Sequence, residues 1–240
     1  LVAEGVNEKG ALSDILQTAQ ARNIEIHRVP RRVMDDLAQD SNHQGVLVRV
    51  GDYPYMELED LMQIPAQRGE SPLFLALDLL KDPQNVGVLM RIADAVGVHG
   101  ILLQSRRGVE ITPAVVSASS GAVEHLAVAS VTNLVNALKW LKEQNVWAVG
   151  MEVGEDIPPL DCVDMNRPLV LVLGSEGEGM RRLVRETCDM LVTLPMRGAV
   201  GSLNVATVGS VGLYAAWQAR AWQGWKRAAQ TEAQRARGEG

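Results

Sequence analysis

The sequence predicts an α/β fold in which a parallel sheet, covered on both faces, follows a smaller α/β unit. Three observations predict it. From Leu73 onward, short and uniformly apolar runs alternate with segments of helical periodicity, the pattern of strands buried on both faces. Between residues 51 and 72 that regularity breaks. Gly51, Pro54, Pro65, Gly69 and Pro72 punctuate a stretch that also carries Glu57, Glu59, Asp60 and Glu70. The chain of 240 residues suits one large domain or two small ones, and its 47% hydrophobic and 22% charged residues exclude global disorder and fibrous classes.

Residues 1–50 make the first unit. Ala11 to Arg22 reads as a helix, with Leu12, Ile15, Leu16 and Ala19 on one face and Ser13 or Asp14 near its start. Ile24, Ile26 and Val29 predict a short strand, and Val33, Met34 and Leu37 a second helix. The alternation of Val46, Val48 and Val50 predicts another strand. The chain begins at Leu1 rather than Met, so an N-terminal piece of this unit is expected to be missing. Residues 51–72 read as a linker with a short helix around Leu58 to Met62.

The second unit repeats strand and helix. The predicted strands are Leu73–Leu77, Gly100–Leu103, Leu126–Ala129, Val146–Val149, Leu169–Leu173 and Met190–Leu194. Helices fit over Val86–Val96, Pro113–Ala118, Leu134–Glu143 and Met180–Thr187, with a last one from Asn204 to Trp222. After that the chain is polar, with Arg235 and Arg237, and residues 223–240 are expected to be a disordered tail. Phe74 is the single phenylalanine and aromatics are 4%, so the core must be built from Leu, Val, Ala, Ile and Met.

Charge and cysteine usage narrow the function. A net charge of −6 argues against bulk electrostatic capture of nucleic acid but leaves room for local basic patches. Such patches are expected from Arg28, Arg31 and Arg32, from Arg106 and Arg107, and from Arg181, Arg182 and Arg185. Cys162 and Cys188 have no metal-ligand spacing, and neither do His27, His43, His99 and His125, so no metal site is expected. No run reaches the ~20 apolar residues of a membrane span. A reduced, cytoplasmic setting is the expectation.

Three segments join a strand end to a helix, where open parallel sheets bind ligands. In Asp82 to Gly97, DPQNVGVLMRIADAVG, Asn85 is placed to cap the following helix and Arg91 lies inside it. In Leu173 to Met180, LGSEGEGM, Gly174, Gly177 and Gly179 surround the lone carboxylate Glu176 and let backbone approach a ligand closely. In Leu194 to Asn204, LPMRGAVGSLN, Ser202 is a candidate helix cap beside Asn204, and Arg197 could meet a phosphate or face water. None matches a P-loop or G-x-G-x-x-G, and Ser202 lacks the G-x-S-x-G frame of a hydrolase. A nucleotide-dependent oxidoreductase would want glycines after the first strand, where this chain has Asp82-Pro83-Gln84-Asn85.

Taken together and in order, the three segments resemble the three motifs of the SpoU-type branch of the SPOUT RNA methyltransferases. The resemblance covers Leu73 to Trp217. The front end is similar to the L30e-like substrate domain of that family, with Asn42-His43-Gln44-Gly45-Val46 as its end. GSEGEGMRRL and GAVEHLAVASVTNL are most similar to the branch that methylates a guanosine 2′-oxygen of bacterial 23S rRNA. Ala206-Thr207-Val208 departs from the Ser-Val-Ala more usual there.

The resemblance implies a SPOUT methyltransferase domain over 73–222 with a C-terminal trefoil knot, a rare exception to unthreaded topology. It implies S-adenosylmethionine as cofactor, held by Gly174, Leu194, Met196, Ser202 and Leu203, and an RNA substrate, rRNA first and tRNA as the alternative. Arg91, Asn85, Glu176, Ser202 and Asn204 fall on the functional positions of the family. A homodimer is implied as well, with Arg91 reaching the site of the other subunit. The rival from another class is a non-catalytic RNA-binding or ribosome-assembly factor.

Overall fold

In the computed structural model residues 1–38, 43–154 and 156–225 are described, and they form two units divided between Tyr53 and Pro54. Asn42 and most of the expected tail, with Arg235 and Arg237, lie outside the described residues.

The first unit is built on β1 (Val2–Ala3), α1 (Ala11–Ala21), β2 (Arg28–Val29) and α2 (Arg31–Ala38). β1 and β2 pair in parallel. Val2, Leu12 and Leu16 form its core, with Val6, Ile26 and Val46 packed against them, and Met34 is fully buried from α2. Gly10, not Ser13 or Asp14, stands before the first turn of α1, and no side chain caps it. The strand expected at Val46–Val50 is absent among the described residues: Val46 makes a single bridge to Val2, and Val48 and Val50 are 68% and 79% exposed. Leu47 still exchanges hydrogen bonds with Leu1, but among the described residues no strand pairs with Val48 and Val50, and alternation alone makes no strand. His43 holds the turn before it, with Nε2 2.9 Å from Asp35 Oδ1 and Nδ1 accepting from Gly45 N at 3.0 Å.

The second unit starts earlier than the expected strand pattern. Residues 54–72 are not a free linker: α3 (Leu58–Leu61) and α4 (Gln63–Arg68) pack on the sheet, and Leu61 is fully buried in the core with Phe74 and Leu102. An added Cβ at Gly100 would lie 2.9 Å from the Leu61 methyl carbons, so helix and strand touch without a spacer. Glu57, Glu59 and Asp60 are exposed around Leu58 and Leu61, and they masked the buried side of this stretch.

The sheet and helices then follow in order: β3 (Leu73–Asp78), α5 (Pro83–Val96), β4 (Gly100–Gln104), α6 (Pro113–Ala118), β5 (Val128–Val131), α7 (Leu134–Glu143), β6 (Trp147–Met151), β7 (Leu169–Gly174), α8 (Arg182–Thr187), β8 (Met190–Val192) and α9 (Val205–Ala219). Among the described residues six strands form one parallel sheet in the order β5-β4-β3-β7-β6-β8. Every residue of β3 and β7, the two central strands, is buried, which is why these runs lack a polar alternation. α9 returns from the edge strand to pack on α5, β6 and β7. It comes close because Gly209 and Gly212 leave room: an added Cβ would lie 2.4 Å from Leu89 Cδ2 and from Met151 Sδ respectively.

A buried histidine and a half-buried arginine tie the far end of the sheet. His99 accepts from Leu73 N through Nδ1 at 3.1 Å and faces Glu70 through Nε2 at 3.1 Å. Burial pushes its pKa below the ordinary imidazole value. Arg220, just past α9, donates to the carbonyls of Ser71, Pro72 and Arg167 at 2.6, 2.9 and 2.6 Å. Burial lowers its pKa to about 10, so the guanidinium keeps its charge near neutrality.

Candidate active site

The carboxyl ends of β6, β7 and β8 border a cavity of about 520 Å³. That lies within the ~300–1,000 Å³ of small-molecule sites. Its walls come from three loops that are remote in sequence: Met151 to Val153, Leu173 to Gly179, and Val192 to Val208 with gaps. Gly174, Leu194, Met196, Ser202 and Leu203 all line it. So do Glu176 and Asn204.

Gly174 shows why this loop needs glycine. A Cβ there would lie 2.1 Å from Gly179 C and Met180 N, so the strand end and the returning loop are in backbone contact. Gly177 and Gly179 have φ of 83° and 68°, a conformation that side chains with a Cβ rarely adopt. The loop closes on itself through Ser175 N to Gly179 O at 3.1 Å and Gly179 N to Ser175 O at 2.9 Å.

At the mouth of the cavity the three segments meet in one hydrogen-bonded chain. Asn204 Nδ2 donates to Asn85 Oδ1 at 2.9 Å. Asn85 Nδ2 donates in turn to Asp82 Oδ2 at 2.8 Å and to Glu176 Oε1. The helix caps differ from expectation. Asp82, not Asn85, caps α5, accepting from Gln84 N at 3.0 Å, because Pro83 occupies the first helical position. Asn204, not Ser202, caps α9, accepting from Ala206 N at 2.8 Å and Thr207 N at 3.3 Å. Asn85 and Ser202 are thereby released from backbone duty.

Arg91 is not part of this cluster. It is exposed on α5 and donates to Ser120 Oγ at 3.2 Å. Six residues along a helix turn it well away from Asn85, so one chain alone does not bring Arg91 to the cavity.

Arg181, Arg182 and Arg185 are exposed, as expected, and each of them is also paired within the chain. Arg181 binds Asp78 and Gln104, Arg182 pairs with Glu186, and Arg185 Nε donates to Glu152 Oε2 at 3.1 Å. Two of these three arginines are therefore turned onto the protein's own carboxylates around the site. In the first unit Arg28 is paired with Glu8, while Arg31 and Arg32 are exposed at the start of α2. Arg106 and Arg107 are exposed in the loop after β4.

Asp78 and Glu152 escaped the sequence reading. Asp78 is 1% exposed at the end of β3, and Glu152 lines the cavity just past β6. Each had a signal. An acidic residue that closes an apolar run destined for burial must find a cation or several donors.

The wall chemistry suits a cationic, partly apolar cofactor such as S-adenosylmethionine. Met151, Leu173, Val192 and Leu194 supply apolar surface, and Glu152, Glu176 and Glu178 make the rest of the lining acidic, which favours a ligand with positive charge. Among the described residues no group of three or more His, Cys, Asp or Glu is placed to hold a metal ion. Among them, too, no helix is long and apolar enough to cross a membrane.

Comparison with known proteins adds family relations. Residues 72–214 match the SpoU rRNA Methylase family, and residues 1–56 match the family described as RNA 2′-O ribose methyltransferase substrate binding. A relative in Bacillus subtilis, named "Putative TrmH family tRNA/rRNA methyltransferase YacO", is 44% identical over 214 residues, 88% of this chain and 84% of its own length. The 23S rRNA (guanosine-2′-O-)-methyltransferase RlmB of Vibrio parahaemolyticus is 39% identical over 209 residues, 87% of this chain and 84% of its own. The crystal structure of the SpoU methyltransferase AviRb from Streptomyces viridochromogenes, in complex with AdoMet, superimposes with a TM-score of 0.73 at 25% identity, covering 91% of this chain and 81% of that one.

Proposed function

The chain belongs to the SpoU rRNA methylase family and is an S-adenosylmethionine-dependent RNA methyltransferase, and on that premise we propose that its target is the 2′-oxygen of a guanosine in large-subunit (23S) rRNA. The observation that carries the reading is the chain Asn204–Asn85–Glu176, which draws the three motif segments together at the mouth of the cavity. The name of the Vibrio relative and the substrate-binding match over residues 1–56 support the choice of rRNA. The Bacillus relative's name keeps tRNA as the alternative.

When bound, S-adenosylmethionine supplies a methyl group on a sulfonium, open to in-line displacement by an oxygen nucleophile. We assign Gly174, Leu194, Met196, Ser202 and Leu203 to holding it, and the work of the other residues is positional. Asn85 has its amide fixed from both sides, by Asn204 and by Glu176 with Asp82, so it can present a set orientation to the ribose. Glu176 holds that amide from the loop, and Ser202 offers a hydroxyl at the cavity wall. Arg91 is assigned to an RNA phosphate and to the ribose oxygen that gains charge as its proton passes to solvent water. A guanidinium holds its protons too tightly to act as a base and serves there as a donor.

Arg91 reaches a site only if a second copy brings it, so we propose a homodimer through α5 and α9. Val88, Val211 and Tyr214 are exposed on those two helices, which supports that face as the contact. The return of α9 from edge strand β8 to central β7 supports a threaded, knotted C-terminus. We place the reaction in the cytoplasm, where ribosomal RNA is exposed during assembly.

The experiment is methyl transfer from labelled S-adenosylmethionine to unmodified rRNA and tRNA in parallel, followed by mapping of alkali-resistant linkages. One protected guanosine in 23S rRNA is the expected outcome. Protection in tRNA alone would move the substrate and keep the chemistry. Cofactor binding without transfer to either RNA would favour a binding factor that has kept the fold.

A further inference from the structure

The glycine loop begins and ends at one residue outside it. Asp78 is the register partner of Gly174, where the loop leaves β7. Asp78 Oδ2 also accepts from Arg181 N at 2.8 Å, where the loop returns. Its other oxygen, Oδ1, accepts from Arg181 Nε at 2.8 Å and lies 2.6 Å from Nη2. Arg181 Nη2 reaches on to Gln104 Oε1 at 2.7 Å, at the end of β4. A buried carboxylate, a guanidinium and a side-chain amide thus span two strand ends and the return of the loop.

We infer that Asp78 and Arg181 are a positioning pair that sets cofactor affinity by fixing where the loop of residues 175–180 closes. Neither residue lines the cavity, so their effect passes through the loop that does. Asp78 is 1% exposed and has both oxygens engaged, which leaves it no second arrangement without moving Arg181. The planar fork of Arg181 satisfies Asp78 and Gln104 together, a geometry that lysine cannot copy. If Arg181 let go, the loop would keep its start at Gly174 and lose its end, and Glu176 would no longer be held opposite Asn85.

The inference rests on the assignment of this cavity to S-adenosylmethionine. Its test is calorimetric binding of S-adenosylmethionine to the full chain and to R181M and D78N/R181M, with thermal melts of each. The double variant removes the buried charge that the single one leaves behind. Both variants are expected to fold and to bind about tenfold more weakly, with the cofactor KM rising more than kcat falls. Binding by both at wild-type strength would overturn the inference. Recovery of binding in the double variant would also overturn it, since the stranded charge and not the lost clamp would then be the cause. So would failure of both to melt cooperatively, which would make the pair a support of the whole fold. A wild-type chain that binds no S-adenosylmethionine would overturn the cavity assignment instead.

Discussion

Asn204 and Asn85 lie 119 residues apart in sequence and 2.9 Å apart in space, and the donor of that bond is also the cap of the last helix. Its Oδ1 serves two backbone N–H groups while its Nδ2 serves the site. The two jobs can be separated. Asn204→Asp keeps the cap and loses the donor to Asn85, so methyl transfer should fall about tenfold, the worth of ~1.4 kcal/mol, with an unchanged melting temperature. Asn204→Ala loses both, and should add a stability loss of about 1 kcal/mol by denaturant titration. Full activity in Asn204→Asp would show that the bond to Asn85 has no part in the reaction.

Arg91→Lys tests the clamp. The lysine keeps a positive charge and loses the planar fork, so turnover should drop roughly 100-fold while calorimetric cofactor affinity is unchanged. Near-full turnover would mean that a point charge suffices.

Gly174→Ala tests the close approach of strand and loop. The new methyl would lie 2.1 Å from backbone atoms that belong to the loop, so the loop must move. Overpacking of this kind costs about 1–3 kcal/mol, and cofactor binding should be lost with it. A variant that binds with wild-type affinity would show that the loop can yield.

His99 makes stability depend on pH. Burial, opposed by its bond to Glu70, lowers its pKa beneath the ordinary 6.5. The unfolded chain therefore takes up a proton that the folded chain resists. The stabilising contribution is complete above 6.5 and is lost as pH falls through the lowered folded value. The melting temperature should decline on acidification below 6.5. His99→Asn, whose Oδ1 can still accept from Leu73 N, should flatten the decline. An equal slope in both proteins would assign the acid sensitivity elsewhere.

The two cysteines should differ in reactivity. Cys162 is exposed, whereas burial pushes the Cys188 thiol up to about 12. A thiol reagent near neutral pH should label Cys162 in the native protein and Cys188 only after denaturant is added. Mass mapping that finds Cys188 labelled first would contradict its burial.

Much of the sheet could be read from the chain because β3 and β7 are buried on both faces, and runs such as Leu169 to Leu173 permit little else. The three motif segments were visible as well, since each follows a strand and carries glycine or a helix start. Pairings across long separations were not. Asp78 looks like the polar end of a strand until Arg181, 103 residues later, is seen against it. Leu61 sits among acids and prolines, so its burial showed only once β4 lay beneath it. Val48 and Val50 erred the other way, for alternation says which sides residues take and not whether another strand is there to pair with.

The last helix is fastened at both extremities. Asn204 holds its first turn to the active-site cluster, and Arg220 holds its end to carbonyls at the opposite end of the central strands. Between them Gly209 and Gly212 press it against fixed neighbours. α9 therefore acts as a ruler. One inserted residue would lengthen it by about 1.5 Å and rotate everything beyond by about 100°, so either Asn204 or Arg220 would miss its partners. Across related sequences this helix should drift in composition on its exposed side while the count of residues from Asn204 to Arg220 stays constant.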